Sequence, residues 1–353
     1  MLDFTCFIAQ TLSPKSVFYC EALNDRMDIL VTGSVAYDYL MTFPGFFKEH
    51  LLVEHLEKIS LSFLVDSLVR RRGGIAPNIA YTLALLGGRP RVLATVGEDF
   101  EEYRAWLEEH GVDTLNVKVV PGKFTASYFA TTDKSNAQVA SFYPGAMAHA
   151  AELSLRELAG DMPDLVVISP NEPGAMELYV RECIELGIPY VYDPSQQIIR
   201  FEGDVLRHGL EGAHALFVNA YEFELIKDKT KMTVEDLMSH LHFMVVTLGP
   251  KGAVVYFGSG QQAVEAVPTD HIVDPTGGGD AFRAGFLTGY RLGLDWAVCA
   301  QLGSLAATYC LENEGPQAHH FTPQEFLARY RQFYDDAGKF DNLLLNKQSS
   351  VRN

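Results

Sequence analysis

Positive charge is scarce in this chain. Only 28 lysines and arginines stand against 45 aspartates and glutamates, a net charge of −17 over 353 residues. Such a balance argues against nucleic acid or an anionic membrane as a partner. It leaves nucleotide binding open, because backbone N–H groups and Mg²⁺ can hold phosphate on an acidic protein. Cysteine is scarce too. Cys6, Cys20, Cys183, Cys299 and Cys310 are scattered, odd in number, and form no CxxC pair or Cys/His cluster at zinc spacing. The expectation is a reduced, cytoplasmic protein without a disulfide framework. No run approaches membrane-spanning length. The N-terminus lacks a basic start and Asp3 interrupts its short apolar stretch, so it does not read as a signal peptide. Internal repeats and low-complexity segments are missing as well.

What remains is a 48% hydrophobic chain, ample for one large α/β domain with a small appendage. From Met27 onward, short apolar runs alternate with helical stretches. Strands are expected at 28–33, 91–96, 164–169, 189–192, 215–218, 243–248 and 253–257. Helices are expected at 76–87, 99–110, 174–186, 234–240, 280–292, 295–312 and 323–335. Several helices end at glycine, as at Gly88, Gly111 and Gly187, where positive φ is wanted. Runs such as Leu165-Val166-Val167-Ile168 are apolar on both faces, as in parallel strands covered by helices. The pattern predicts a mainly parallel sheet with helices on both sides.

Two stretches break the rhythm. Residues 37–60 are rich in aromatics, and 116–145 read as antiparallel strands around the turn Asp133-Lys134-Ser135-Asn136. They are expected either to form a small β lid over the main sheet or to be an edge hairpin packed on the core. Residues 1–26 fit the pattern poorly and are expected to be a disordered extension or to precede the native start. The main domain then runs over 27–340, followed by a polar, frayed tail at 341–353.

The chemistry concentrates in Asp274-Pro275-Thr276-Gly277-Gly278-Gly279-Asp280, which opens a helix-like run. A glycine turn at a helix start presents free N–H groups at the positive end of the dipole and binds anions. An aspartate closing that turn would repel phosphate. It makes sense where Asp280 takes the proton of a hydroxyl that attacks phosphorus, while Gly277, Gly278 and Gly279 form the anion hole. No Gly-Lys-Ser/Thr follows, so this is not a P-loop.

The segment resembles the Asp-Thr-x-Gly-Ala-Gly-Asp signature of the ribokinase/PfkB family of small-molecule kinases, with Pro275, Thr276 and Gly278 as departures. Gly73-Gly74-Ile75-Ala76-Pro77-Asn78 resembles the family's Gly-Gly-x-x-x-Asn. By that resemblance Gly74 permits close substrate approach and Asn78 bonds a sugar hydroxyl. Asn219-Ala220-Tyr221-Glu222 matches its Asn-x-x-Glu. Those oxygens either hold the water shell of Mg²⁺, with Asn219 near the nucleotide, or simply cap a helix. Thr247-Leu248-Gly249-Pro250-Lys251-Gly252 resembles the loop where Thr247, Gly249 and Gly252 lie along ATP, or is a plain β-turn. The resemblance implies a monovalent cation such as K⁺ near Asp274 and Thr276, completed by carbonyls around Cys310 to Gly315. Asp38, after the first strand, either accepts two hydrogen bonds from a vicinal diol or is a turn aspartate.

The resemblance spans roughly 27–335 and implies a ribokinase-like three-layer α/β/α fold with a small β lid. Phe142-Tyr143-Pro144-Gly145-Ala146-Met147, Asp193-Pro194-Ser195-Gln196-Gln197, Asp280-Ala281-Phe282-Arg283-Ala284-Gly285 and Gly315-Pro316-Gln317-Ala318-His319 look like the adenosine/nucleoside kinase branch, although Pro316 stands where that branch commonly has threonine. Arg283 either neutralises phosphate, forms a core salt bridge or is exposed. The adjacent His319 and His320 are expected to be structural. The expected function is an ATP- and Mg²⁺-dependent kinase acting on the 5′-hydroxyl of a nucleoside, adenosine first, as a monomer or a homodimer through the lid. The alternatives are a kinase of ribose, fructose or a sugar acid, and a non-catalytic nucleotide- or sugar-binding regulator.

Overall fold

The structure is a computed structural model that describes residues 27–50, 61–336, 338 and 340. The expectations for 1–26, for lid residues 51–60 and for the tail 341–353 lie outside the described residues.

The central sheet has nine strands, ordered β13-β12-β11-β10-β9-β8-β1-β4-β5. They are β1 (Ile29–Thr32), β4 (Arg91–Val96), β5 (Val117–Val119), β8 (Leu165–Ile168), β9 (Tyr190–Tyr192), β10 (Ala215–Asn219), β11 (Phe243–Thr247), β12 (Ala253–Phe257) and β13 (Gly260–Val264). The strands from β5 to β11 pair in parallel, and β12 and β13 add antiparallel. Strand alternation sends neighbouring residues to opposite faces. Val31, Val167, Phe217 and Val245 pack beneath helices α1 (Ile75–Leu85) and α7 (Gly278–Arg291), with Ile79 and Phe286. Leu30, Val166, Leu216 and Met244 pack on the other face with Met176, Leu206 and Ile226 of α3 (Pro173–Leu186), α4 (Gly203–Glu211) and α5 (Ala220–Thr230). Each such fully buried side chain contributes about 1.5–3 kcal/mol of transfer free energy. Truncating Phe217 to alanine would cost about 3–5 kcal/mol. This is the three-layer arrangement that the alternating runs require. The remaining helices are α2 (Glu101–Glu109), α6 (Val234–His240), α8 (Trp296–Leu311) and α9 (Pro323–Phe333).

A second sheet of four strands, ordered β3-β2-β6-β7, stands apart from the first. It comprises β2 (Ala36–Thr42), β3 (Ser67–Gly73), β6 (Ala126–Thr132) and β7 (Gln138–Tyr143). The β6–β7 hairpin turns at Asp133, whose carboxylate accepts N–H bonds from Phe47, Ser135 and Ala137. This sheet is the lid.

Two expectations need correction, and some elements had no expectation. Val117–Val119 lies in the central sheet, parallel to β4 through the Ala94–Val117 pair, so the lid strands of the second stretch begin at Ala126. Ser67–Gly73 is a lid strand although Arg70, Arg71 and Arg72 hide it from apolar periodicity. Helices at 203–211 and 220–230 were not anticipated over their lengths. At the end of α1 the positive φ falls on Gly87.

From β1 the chain passes through the lid and α1 to β4 on one side, then returns to build β8 to β11 on the other. The strand order therefore reverses between β1 and β8. In open α/β sheets the crevice beyond the carboxyl ends at such a point is where ligands sit.

Candidate functional site

The carboxyl ends of β1 and β8 are tied together: the Ser34 N–H donates to the Pro170 carbonyl at 2.8 Å. Gly74 caps α1 with φ of 95°. A Cβ there would lie 2.5 Å from the Ser34 carbonyl oxygen, so the close approach requires glycine. Asp38, on β2, rests its carboxylate where a Cβ on Gly73 would come within 2.7 Å of it. Asn78 follows in the first turn of α1 and is buried.

The glycine triplet opens α7 as the sequence suggested. Gly277 adopts φ of 82° against Pro316, Gly278 and Gly279 form the first helical positions, and Asp280 ends the first turn. The first N–H groups of a helix have no carbonyl one turn behind them. Gly278 makes only a long bond to the Pro275 carbonyl at 3.5 Å, and Ala281 is the first to reach a full turn back, to the Gly277 carbonyl at 2.9 Å. The helix start therefore aims donors and a positive dipole end at the crevice.

A hydrogen-bonded chain crosses this point. Tyr103 Oη donates to the Gly73 carbonyl at 3.0 Å. Gln317 Nε2 donates to Tyr103 Oη at 2.6 Å and to Asn78 Oδ1 at 2.7 Å. Asn78 Nδ2 donates to Asp280 Oδ2 at 2.9 Å. Arg283 Nη1 lies 3.4 Å from Asp280 Oδ1, while Arg283 Nη2 donates to Asp193 Oδ1 at 2.6 Å. Ser169 Oγ donates to Asp193 Oδ2 at 3.1 Å. Of the options for Arg283, the structure takes the buried salt bridge. Burial pushes the Asp280 carboxyl above its usual range, while Arg283 and Asn78 pull it back. Asp193 is pushed up to about 6 by burial, opposed by Arg283. Asp38 is also pushed up to about 6 by burial, opposed by Arg71.

Asn219 and Thr247 end adjacent parallel strands and face each other in register. Gly249 and Gly252 follow Thr247 in the turn to β12, with φ of 59° and 92°. Asn219 and Glu222 form a reciprocal capping box at the start of α5, with both bonds at 2.8 Å. The capping option is therefore real, and it sets Glu222 in place: its Oε1 also accepts from Ser195 Oγ at 3.0 Å, and its charge acts on Asp193 and Arg283. Asp274 has both carboxylate oxygens engaged, Oδ1 by the Thr276 N–H at 2.9 Å and Oδ2 by Arg71 Nη1 at 2.7 Å. Arg71 also reaches Glu314 at 3.0 Å.

For Mg²⁺ the fit is through water: Glu222 has both oxygens engaged by Ser195 and the Asn219 N–H, so it would address the ion's water shell rather than the ion itself. For K⁺ the Asp274 side chain is already committed, so only carbonyl oxygens near Thr276 suit that ion. His319 is buried, meets Thr82 Oγ1 through Nε2 at 3.0 Å, and accepts the Tyr81 hydroxyl on its carbonyl. His320 is exposed. Among the described residues no three His, Cys, Asp or Glu side chains converge on a metal position, and none of the helices is long and apolar enough to cross a membrane.

Sequence reasoning assigned no role to Arg71, Tyr103, Asp193 or Gln317. Asp193 and Gln317 stood inside short motifs, and Arg71 stood in an arginine run just before Gly73. Their partners lie far away in sequence.

The profile of the pfkB family carbohydrate kinases matches residues 31–323. A structure of Burkholderia thailandensis nucleoside kinase in complex with inosine is 35% identical and superposes with a TM-score of 0.77, covering 87% of this chain and 98% of that one. A nucleoside kinase of Methanocaldococcus jannaschii is 26% identical over 295 residues, 82% of this chain and 92% of that protein. A cytidine kinase of Thermococcus kodakarensis is 28% identical over 284 residues, 75% of this chain and 96% of that protein.

Proposed function

The chain belongs to the pfkB family of carbohydrate kinases, and we propose that its acceptor is a nucleoside, adenosine first, phosphorylated on the 5′-hydroxyl. As a member of that family it is a phosphotransferase that uses ATP and an alcohol acceptor. The observation that carries the reading is Asp280: a buried carboxylate at a glycine-rich helix start, bonded to Asn78 from the other family motif.

In this reading Asp280 takes the proton of the 5′-hydroxyl as its oxygen forms the bond to the γ-phosphorus and the bond to ADP breaks. The N–H groups of Gly277, Gly278 and Gly279 balance the charge of the phosphoryl group in flight. Mg²⁺ bound with ATP supplies charge neutralisation between phosphates, and Glu222 and Asn219 address its water shell. Thr247, Gly249 and Gly252 border the nucleotide. Asp38 and Asn78 grip the ribose hydroxyls, Gly74 lets the sugar approach, and carbonyls near Asp274 and Thr276 hold K⁺ where the enzyme uses it.

Cross-strand partners share one face of a sheet. Asp38, Arg71, Tyr128 and Phe142 are successive partners across the lid. That face joins a diol-binding carboxylate to two flat rings, which suits a ribose carrying a base. The inosine-bound Burkholderia thailandensis relative supports a nucleoside acceptor. Lid closure would exclude water and limit hydrolysis of ATP. The exposed Leu68 and Val139, which share the opposite face of the lid, support a homodimer through the lid as the alternative to a monomer. The acidic chain with few cysteines suits the cytoplasm.

The test is ADP release from ATP and Mg²⁺ across nucleosides and sugars, with K⁺ present. Turnover with adenosine or another nucleoside supports the reading. Turnover with ribose or fructose alone keeps the Asp280 chemistry and replaces the acceptor. ATP binding without turnover on any acceptor favours a regulator.

A further inference from the structure

Arg283 stands between two carboxylates and treats them unequally. Its Nη2 closes on Asp193 Oδ1 at 2.6 Å, a tight charge-assisted bond. Its Nη1 stops 3.4 Å from Asp280 Oδ1, beyond the usual N–H···O range. Asp193 is fully buried, and its second oxygen is fixed by Ser169. It follows β9 directly and cannot drift. Gly279 leaves room for the guanidinium, since a Cβ there would lie 3.0 Å from Arg283 Nη1. The Arg283 Nε is buried without a partner among the described residues, so the guanidinium is held by its two terminal nitrogens. Asp280 Oδ2 is taken by Asn78. Oδ1 is thus the oxygen with lone pairs to spare.

We infer that Asp193 and Arg283 are a positioning pair that restrains the base: Asp193 holds Arg283 short of Asp280, so that the cation balances the carboxylate without capping the oxygen that must accept the substrate proton. The inference rests on Asp280 being the general base. A carboxylate gripped closely by a guanidinium loses basicity, by about one to three pH units when the two charges touch. Its accepting lone pairs are also occupied. The segments Asp193–Gln197 and Asp280–Gly285 therefore meet at one guanidinium, that of Arg283.

The charged and titratable groups around Asp280 are few. Its own helix supplies Arg283, the loop after β9 supplies Asp193, the start of α5 supplies Glu222, and α8 supplies the Cys310 thiol. Among the described residues, α1 brings the neutral Asn78 amide to Asp280, with the Gln317 amide of the loop before α9 behind it.

The experiment compares wild type, D193N, R283Q, D193N/R283Q and D280N with the nucleoside of highest turnover, ATP and Mg²⁺. It reads kcat, KM and the acid limb of kcat/KM against pH, with circular dichroism melts for folding. D193N releases Arg283 onto Asp280: kcat falls at least about tenfold and the acid limb moves down by about one pH unit. R283Q moves the limb up by about one unit and keeps most of kcat at the alkaline plateau. The double variant recovers kcat relative to D193N, because the freed clamp is gone. A merely structural pair would lower the melting temperature in both single variants with the acid limb unmoved, and that result overturns the inference. So does a double variant no faster than D193N. Should D193N not fold, R283Q decides alone: a limb moved upward supports the restraint, and a limb unmoved or moved downward overturns it. D280N retaining turnover removes the base assignment and this inference together. An inactive D280N beside an unmoved acid limb removes only the restraint.

Discussion

Asn78 Nδ2 donates to Asp280 Oδ2 at 2.9 Å across 202 positions of sequence. One residue begins the helix after the lid, the other begins the helix after the glycine triplet. Each helix start is marked by glycines that bring its backbone close to the crevice. The amide cannot rotate freely, because Gln317 holds its oxygen and Tyr103 holds Gln317. The candidate base is therefore oriented from outside its own loop. Orientation of this kind is where a positioned proton acceptor gains most.

Asp280→Asn should keep ATP and nucleoside binding and lose at least about 100-fold in kcat, as expected for removal of a general base. The amide is nearly the same size and still meets Asn78, so folding should survive. Steady-state kinetics and calorimetric titration check the two halves. A variant keeping most of its turnover would sink the assignment.

Gly74→Ala should be damaging out of proportion to one methyl group. The backbone sits at φ of 95°, and the new Cβ would press within 2.5 Å of the Ser34 carbonyl. Strain at such a position costs about 1–3 kcal/mol. Relief would move Asn78 with the helix start, so KM for the acceptor should rise as the melting temperature falls. Unchanged kinetics with a lowered melting temperature would leave Gly74 with a folding role only.

Asp38 should make acceptor binding pH-dependent. Burial raises its carboxyl to about 6, and only the ionised form accepts two hydroxyl protons. KM for the nucleoside should therefore climb as pH falls through about 6. Arg71 pulls that value down, so Arg71→Met should shift the climb to higher pH. For stability the sign is opposite to the ordinary carboxylate. The folded chain binds the proton more strongly than the unfolded one, so the Asp38 contribution grows as pH falls from about 6 toward 3.8. A KM flat between pH 5 and pH 8 would remove Asp38 from the diol.

His319 should make the fold acid-sensitive. Burial lowers it from 6.5 to about 4. The unfolded chain takes up a proton below 6.5 that the folded chain refuses. Its contribution is intact above pH 6.5 and lost as pH falls toward 4, on the order of 3 kcal/mol in all. His319→Gln should lower stability at pH 7 by losing the fit to Thr82 and Tyr81, yet flatten the decline between those limits. Urea unfolding of both proteins at several pH values measures the difference. Parallel curves would mean that His319 does not titrate in this range.

The alternation of strands and helices, the glycine turn with Asp280 at its end, and the family to which the turn points are legible in the residues alone. Those features are local. Continuous apolar runs such as Leu165–Ile168, helix starts and glycines at positive φ act within a few residues, so the chain carries them openly. The β6–β7 hairpin was legible for the same reason, through the turn at Asp133. The fold, by contrast, set Val117–Val119 in the central sheet and made the arginine run Arg70–Arg72 a lid strand. Edge pairing depends on which strand lies alongside, and a strand in contact with water carries no apolar signature. It also decided that Arg71 meets Asp274, that Gln317 steadies Asn78, and that Asp193 holds Arg283 off Asp280. Such pairs are set by the crossing of helices over a sheet, at separations where the sequence carries no periodic signal. The chemistry was written in one loop; its restraint required the fold.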